Sequence, residues 1–162
     1  MHILNYFEKL KLVKKNGLEL AFIEEQSEVL CEEALMQNGM ALPYVKVKNL
    51  NLHIIALMQN GMAIQFIERP MPMLVTIALT KNGMAIRHIS KNPEYLSCIG
   101  LTEEYMSTLA VMQNGLALKC IVTQTPQICE IAIKNNGGAY KYVDQQFKCE
   151  KLYKLSTLHS SL

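Results

Sequence analysis

The residues of this chain best able to ligate a metal or carry a nucleophile are its histidines and cysteines, and their spacing supports neither use. His2, His53, His88 and His159 are scattered along the chain. Cys31, Cys98, Cys120, Cys129 and Cys149 form no CxxC pair, whereas structural zinc uses closely spaced pairs of ligands. Cys129 lies near an expected helix start, a setting that can lower a thiol pKa, but the cysteines read as buried reduced thiols. The adjacent carboxylates Glu24-Glu25, Glu32-Glu33 and Glu103-Glu104 would not face each other on a helix, so they read as solvated faces rather than acid–base pairs. Neither G-x-x-x-x-G-K-[ST] nor G-x-G-x-x-G occurs. The expectation is a protein that is not an enzyme, with no catalytic residue, no metal site, no cofactor and no small-molecule substrate.

The bulk composition narrows the class further. Half of the 162 residues are apolar and 19% are charged, which suits one soluble globular domain. A net charge of +2 is too even for a dedicated electrostatic partner such as a phosphate backbone or an anionic membrane. No run approaches the roughly 18 consecutive apolar residues that a membrane span needs. The odd cysteine count and the absence of a secretory leader at Met1–Leu10 point to reduced thiols in the cytoplasm.

What must position every residue is a repeat. Asn-Gly occurs six times, with Asn at 16, 38, 60, 82, 114 and 136, at intervals of 22, 22, 22, 32 and 22. The octapeptide ALMQNGMA appears verbatim at Ala34–Ala41 and at Ala56–Ala63. Four residues before the Asn stand Ala34, Ala56, Ala78, Ala110 and Ala132, and three after it Ala41, Ala63, Ala85, Ala117 and Ala139. Only the first unit departs, with Leu12 and Glu19, and so constant a small residue means that something packs closely against it in the other units. Cys31, His53, Val75, Ser107 and Cys129 share another column, so His53 reads as a packing histidine. Met36, Met58 and Met112 share a column, as do Met40, Met62 and Met84, and both read as repeated core filling rather than a ligand groove.

Before each Asn-Gly, apolar residues recur at −8, −7, −4 and −3, the broad stripe of a helix. Ser27, Asn49 and Thr125-Pro126 offer N-terminal caps, and Met71-Pro72 keeps only the proline. The glycine is then expected as a left-handed helix stop, with C3–C″ contacts such as Leu57 with Met62. For the segment after it a second helix is expected, pairing Met62 with Phe66 and Ala63 with Ile67; a leucine-rich-repeat-like strand is the competitor. Each unit becomes a helix of about 11 residues, a stop and a second helix of about 7, marginal alone and stabilised by stacking. The fold class is thus an all-α helical-repeat solenoid of about six two-helix units over residues 1–143. An extra ten residues fall near 97–107, with Thr102-Glu103-Glu104 restarting the long helix, and residues 144–162 form a cap or tail.

The pattern A-[LVI]-x-[QK]-N-G-x-A-[LI]-x-[YF]-[VI], from about Lys9 to Val143, resembles a short helical repeat of unknown function best known from giant amoeba-infecting viruses and amoeba-associated bacteria. The resemblance implies a fold and a setting, host cytoplasm if the chain is viral or a secreted effector. It transfers no catalytic residue.

Two functional classes follow from such an array. The first is a protein–protein interaction or scaffold module, because solenoids expose extended surfaces and the links between units vary most. The candidate contact residues are Glu24, Glu25, Lys46, Lys48, Glu68, Arg69, Lys91, Gln124 and Gln145, and unrestrained drift explains the same variation equally well. The second is a helical-repeat nucleic-acid reader. It is disfavoured because the links alternate in charge and the column at +6 (Phe22, Tyr44, Phe66, His88, Cys120, Tyr142) reads as buried. A structural component of a larger assembly is not separable from a binder by sequence.

Overall fold

The computed structural model describes residues 5–89 and 100–159. Its main α-helices are α1 (Tyr6–Lys15), α2 (Glu28–Gln37), α3 (Leu50–Gln59), α4 (Pro72–Lys81), the single-turn α5 (Ile86–Ile89), α6 (Glu103–Gln113), α7 (Pro126–Asn135) and α8 (Glu150–Leu158). After each of the first six long helices comes a 3-10 segment beginning at the glycine: Gly17–Phe22, Gly39–Tyr44, Gly61–Phe66, Gly83–Ala85, Gly115–Cys120 and Gly137–Tyr142. No strand occurs among the described residues, so the chain is an all-α helical-repeat solenoid and the leucine-rich alternative is excluded.

The starts of the helices follow their caps. Ser27, Asn49, Thr102 and Thr125 each accept a hydrogen bond from the backbone N–H three residues on, and Asn5 forms a capping box with Glu8. Helix α4 starts at Pro72 with no side-chain cap.

The stops differ from expectation. None of the repeat glycines takes a positive φ; among the described residues only Gly100 does, at 64°. Instead the Asn bends the chain in extended conformation, φ −151° and ψ 105° at Asn38 and φ −148° and ψ 107° at Asn60. One residue serves both elements. The Asn60 N–H closes the α-helix on the Ala56 carbonyl at 2.8 Å, and its Oδ1 caps the following 3-10 helix by accepting from the Met62 N–H at 3.0 Å. Asn16, Asn38, Asn82, Asn114 and Asn136 do the same.

The second segment is 3-10 rather than α, and beside the buried Ala41, Ala63 and Ala117 its buried positions recur every three residues. Gly39, Leu42 and Val45 are buried, as are Gly61, Ile64 and Ile67, and Gly115, Leu118 and Ile121. Residues i and i+3 eclipse in a 3-10 helix, so each trio forms one line facing the core. The Met62–Phe66 face expected for an α-helix therefore does not form, and both side chains are only partly buried.

The α-helices stack side by side in one layer and the 3-10 segments in another, each α-helix touching its own 3-10 segment and the preceding one. Between the layers lies an apolar core, in which Leu35, Leu42, Leu52 and Leu57 are at most 1% exposed. Burying each such leucine contributes about 1.5–3 kcal/mol. Helices α4 and α6, on either side of the ten extra residues, pack directly on each other as neighbours in the stack. Beyond the sixth unit, α8 packs on α7 and on Gly137–Tyr142, with Leu152 and Ser156 buried. Helix α8 is thus one more helix of the stack.

Candidate interaction surface

Two sets of contacts join successive units, the second of them at every such junction except that after Gly61. The first is built on the glycine. A Cβ added to Gly39 would lie deep inside the Ala56 carbonyl oxygen of the next helix, and Gly17, Gly61, Gly83 and Gly115 face Ala34, Ala78, Ala110 and Ala132 in the same way. The glycine is required by close approach, and the invariant alanine lets the neighbouring backbone come that near. The second contact is an amide bridge. The Gly39 N–H donates to Gln59 Oε1 at 2.6 Å, and Gln59 Nε2 donates back to the Gln37 carbonyl at 3.3 Å. Gln37, Gln113 and Asn135 make the same bridge to Gly17, Gly83 and Gly115, each at 2.6 Å. At Gly137 the acceptor is the His159 backbone carbonyl, 3.2 Å away, which ties α8 into the series.

The links between units were the expected contact surface, and they divide into two kinds. Glu24, Glu25, Lys46, Lys48, Glu68, Arg69 and Gln145 are exposed. Lys91 lies outside the described residues. Gln124, by contrast, is buried and belongs to the stack: its Nε2 donates to the Tyr142 carbonyl at 2.8 Å and its Oε1 accepts from the Asp144 N–H at 3.0 Å. Gln26 repeats this clamp one end away, joining Tyr44 and Lys46 at 3.0 Å each. Even the exposed links partly pair with one another. Lys46 Nζ donates to the Glu24 carbonyl at 2.7 Å, and Lys9 meets Glu25 at 3.4 Å. Such solvent-screened contacts are worth little energetically.

Two further expectations are corrected. The Met36, Met58 and Met112 column is not core: these side chains are 55%, 50% and 60% exposed on the outer face of α2, α3 and α6. They sit two residues before the Asn, a phase that points away from both layers. Met62 and Met84 of the other column do pack against the core. The +6 column is divided rather than buried: Phe22 is 82% and Tyr44 44% exposed, while Phe66, Cys120 and Tyr142 are half-buried against the core. In a 3-10 helix that position lies off the buried line at +1, +4 and +7. The buried-aromatic argument against a nucleic-acid reader therefore fails at Phe22 and Tyr44 but not at Phe66 and Tyr142.

Burial disfavours the charged forms of Cys31, Cys129 and His53. Burial, reinforced by Asp144, pushes the Cys129 thiol up to about 11, and its Sγ lies 3.3 Å from Gln124 Oε1. Burial, with Glu28 and Glu32, also raises Cys31. A thiol so protonated is a poor nucleophile at neutral pH. His53 is half-buried, and burial together with Lys48 lowers its pKa. Among the described residues no three His, Cys, Asp or Glu side chains converge as metal ligands, and no helix is long and apolar enough to cross a membrane. A shallow cleft lined by Gln26, Glu28, Cys31, Lys46, Asn49 and Leu52 lies between the first units, but Gln26 fills its hydrogen-bonding capacity within the stack.

Comparison with protein-family models, with curated proteins and with solved structures found no match.

Proposed function

We propose that this chain is a non-enzymatic scaffold that presents the outer face of its α-helical layer to a protein partner. The observation that carries this reading is the exposed methionine row, Met36, Met58 and Met112, repeated at one phase of the array. Methionine is flexible and polarisable, and a row of it suits a surface that adapts to an apolar partner. The link residues Glu68, Arg69 and Lys48 are also exposed and add charge to the surface of the array. The neutral thiols and the glycines absorbed by stacking leave these surface rows as the features the fold itself does not use.

The test is a capture experiment from a cytosolic lysate with full-length protein and with a Met36→Ser, Met58→Ser, Met112→Ser variant whose circular dichroism matches the parent. Loss of a reproducibly retained protein in the variant supports the reading. Equal retention by both, or nothing retained by the parent, overturns it; light scattering on the same sample then shows whether the chain assembles with itself instead.

A further inference from the structure

The chain contains its own matched pair for a spontaneous modification. Asn38 and Asn60 sit in the same octapeptide, ALMQNGMA, so their local chemistry is identical. Their backbones match as well, at φ −151° and ψ 105° against φ −148° and ψ 107°. Both side chains cap the next segment through a 3.0 Å bond to Oδ1. The two differ in what holds the following glycine. The Gly39 N–H is donated to Gln59 Oε1 at 2.6 Å. At the equivalent place in the next unit stands Lys81, which offers no acceptor, and among the described residues the Gly61 N–H meets none.

That N–H is the reacting group in asparagine deamidation. The glycine nitrogen loses its proton and attacks the asparagine Cγ, forming a C–N bond. Collapse of the adduct breaks the Cγ–Nδ2 bond and releases ammonia, leaving a five-membered imide. Water then opens the ring at either carbonyl, giving aspartate or isoaspartate. A glycine after the asparagine favours the reaction because no side chain shields the nitrogen. A hydrogen bond that holds the proton and fixes the peptide plane opposes it. Four of the six Asn-Gly pairs carry the 2.6 Å amide bridge and Asn136-Gly137 carries the His159 carbonyl.

We propose that Asn60 is the site at which the folded chain deamidates, with its five sister asparagines protected by the stack. The expected preference over Asn38 is about fivefold, the factor that corresponds to one hydrogen bond of ordinary net worth. The experiment incubates the full chain at mildly alkaline pH, folded and in urea, and follows each Asn-Gly by peptide mapping with separation of aspartate and isoaspartate forms. Faster conversion of Asn60 than Asn38 in the folded chain and equal conversion in urea are the expected results. Lys81→Gln, which restores the acceptor, should bring Asn60 down to the rate of Asn38. Equal rates in the folded chain, a preference that persists in urea, no effect of Lys81→Gln, or no conversion of Asn60 while the urea sample converts would each overturn the proposal.

Discussion

The junction after Gly39 and the junction after Gly61 have the same eight residues on one side and different partners on the other. Across the first, Gln59 bridges the glycine N–H and the Gln37 carbonyl; across the second stands Lys81, and no bridge forms among the described residues. Yet both glycines approach the next helix equally closely, at Ala56 and Ala78. The difference separates what the stack requires from what reinforces it. The glycine–alanine approach is a steric condition on the geometry of stacking. The glutamine is an addition, because a long side chain can be exchanged without moving the backbone.

Breaking the steric condition should have the largest effect. Gly39→Ala and Gly61→Ala are each expected to lower stability by about 2–3 kcal/mol, because neither neighbouring backbone can yield without opening the stack. Thermal melting of the two variants checks this, and a similar loss at both sites is the point of the comparison. Next comes the buried amide clamp. Gln124→Leu leaves the Asp144 N–H and the Tyr142 carbonyl without their partner, a loss of about 1–3 kcal/mol by urea titration. Exchanging the bridges comes third: Gln59→Ala should cost about 1 kcal/mol, Lys81→Gln should gain up to about as much, and Lys81→Ala should be near neutral. In amide hydrogen exchange, Gly61 should exchange faster than Gly39 in the parent and match it in Lys81→Gln.

The smallest effect is one of pH. The folded chain holds His53 below its ordinary value of 6.5 through burial and Lys48. The unfolded state therefore binds more protons, so the stability due to neutral His53 is present above pH 6.5 and falls as the pH drops through the folded value. His53→Val, the residue type found at the same phase in Val75, should flatten that slope in melting curves taken between pH 7 and about 5.

Much of the fold was legible because stacking repeats its demands at fixed intervals. The caps at Ser27, Asn49, Thr102 and Thr125 and the proline start at Pro72 follow from side-chain chemistry alone. The role of glycine did not, since a left-handed stop and a close approach demand the same residue; only the position of the Ala56 carbonyl decides between them. The 3-10 type was written in the three-residue spacing of Gly61, Ile64 and Ile67, but the four-residue pairs beside it masked that signal. The exposure of Phe22 and Tyr44 is hidden for the same reason, while the methionine row reads as core because an apolar side chain recurs at one phase of the α-helices. Gln124 looked like one more variable link residue, because the carbonyl and N–H it joins belong to the following unit, twenty residues away in the chain. Of the remaining candidate contacts, the exposed charges of the links are placed but not selected among by the fold, and Lys91 lies outside the described residues.

The central claim is that the repeat glycine is there for closeness rather than for a left-handed turn. Thermal melting of Gly39→Asn tests it most directly, because asparagine is tolerated at left-handed helix stops but carries a Cβ. The account predicts that Gly39→Asn is destabilised at least as much as Gly39→Ala. A Gly39→Asn protein that melts with the parent while Gly39→Ala does not would contradict it.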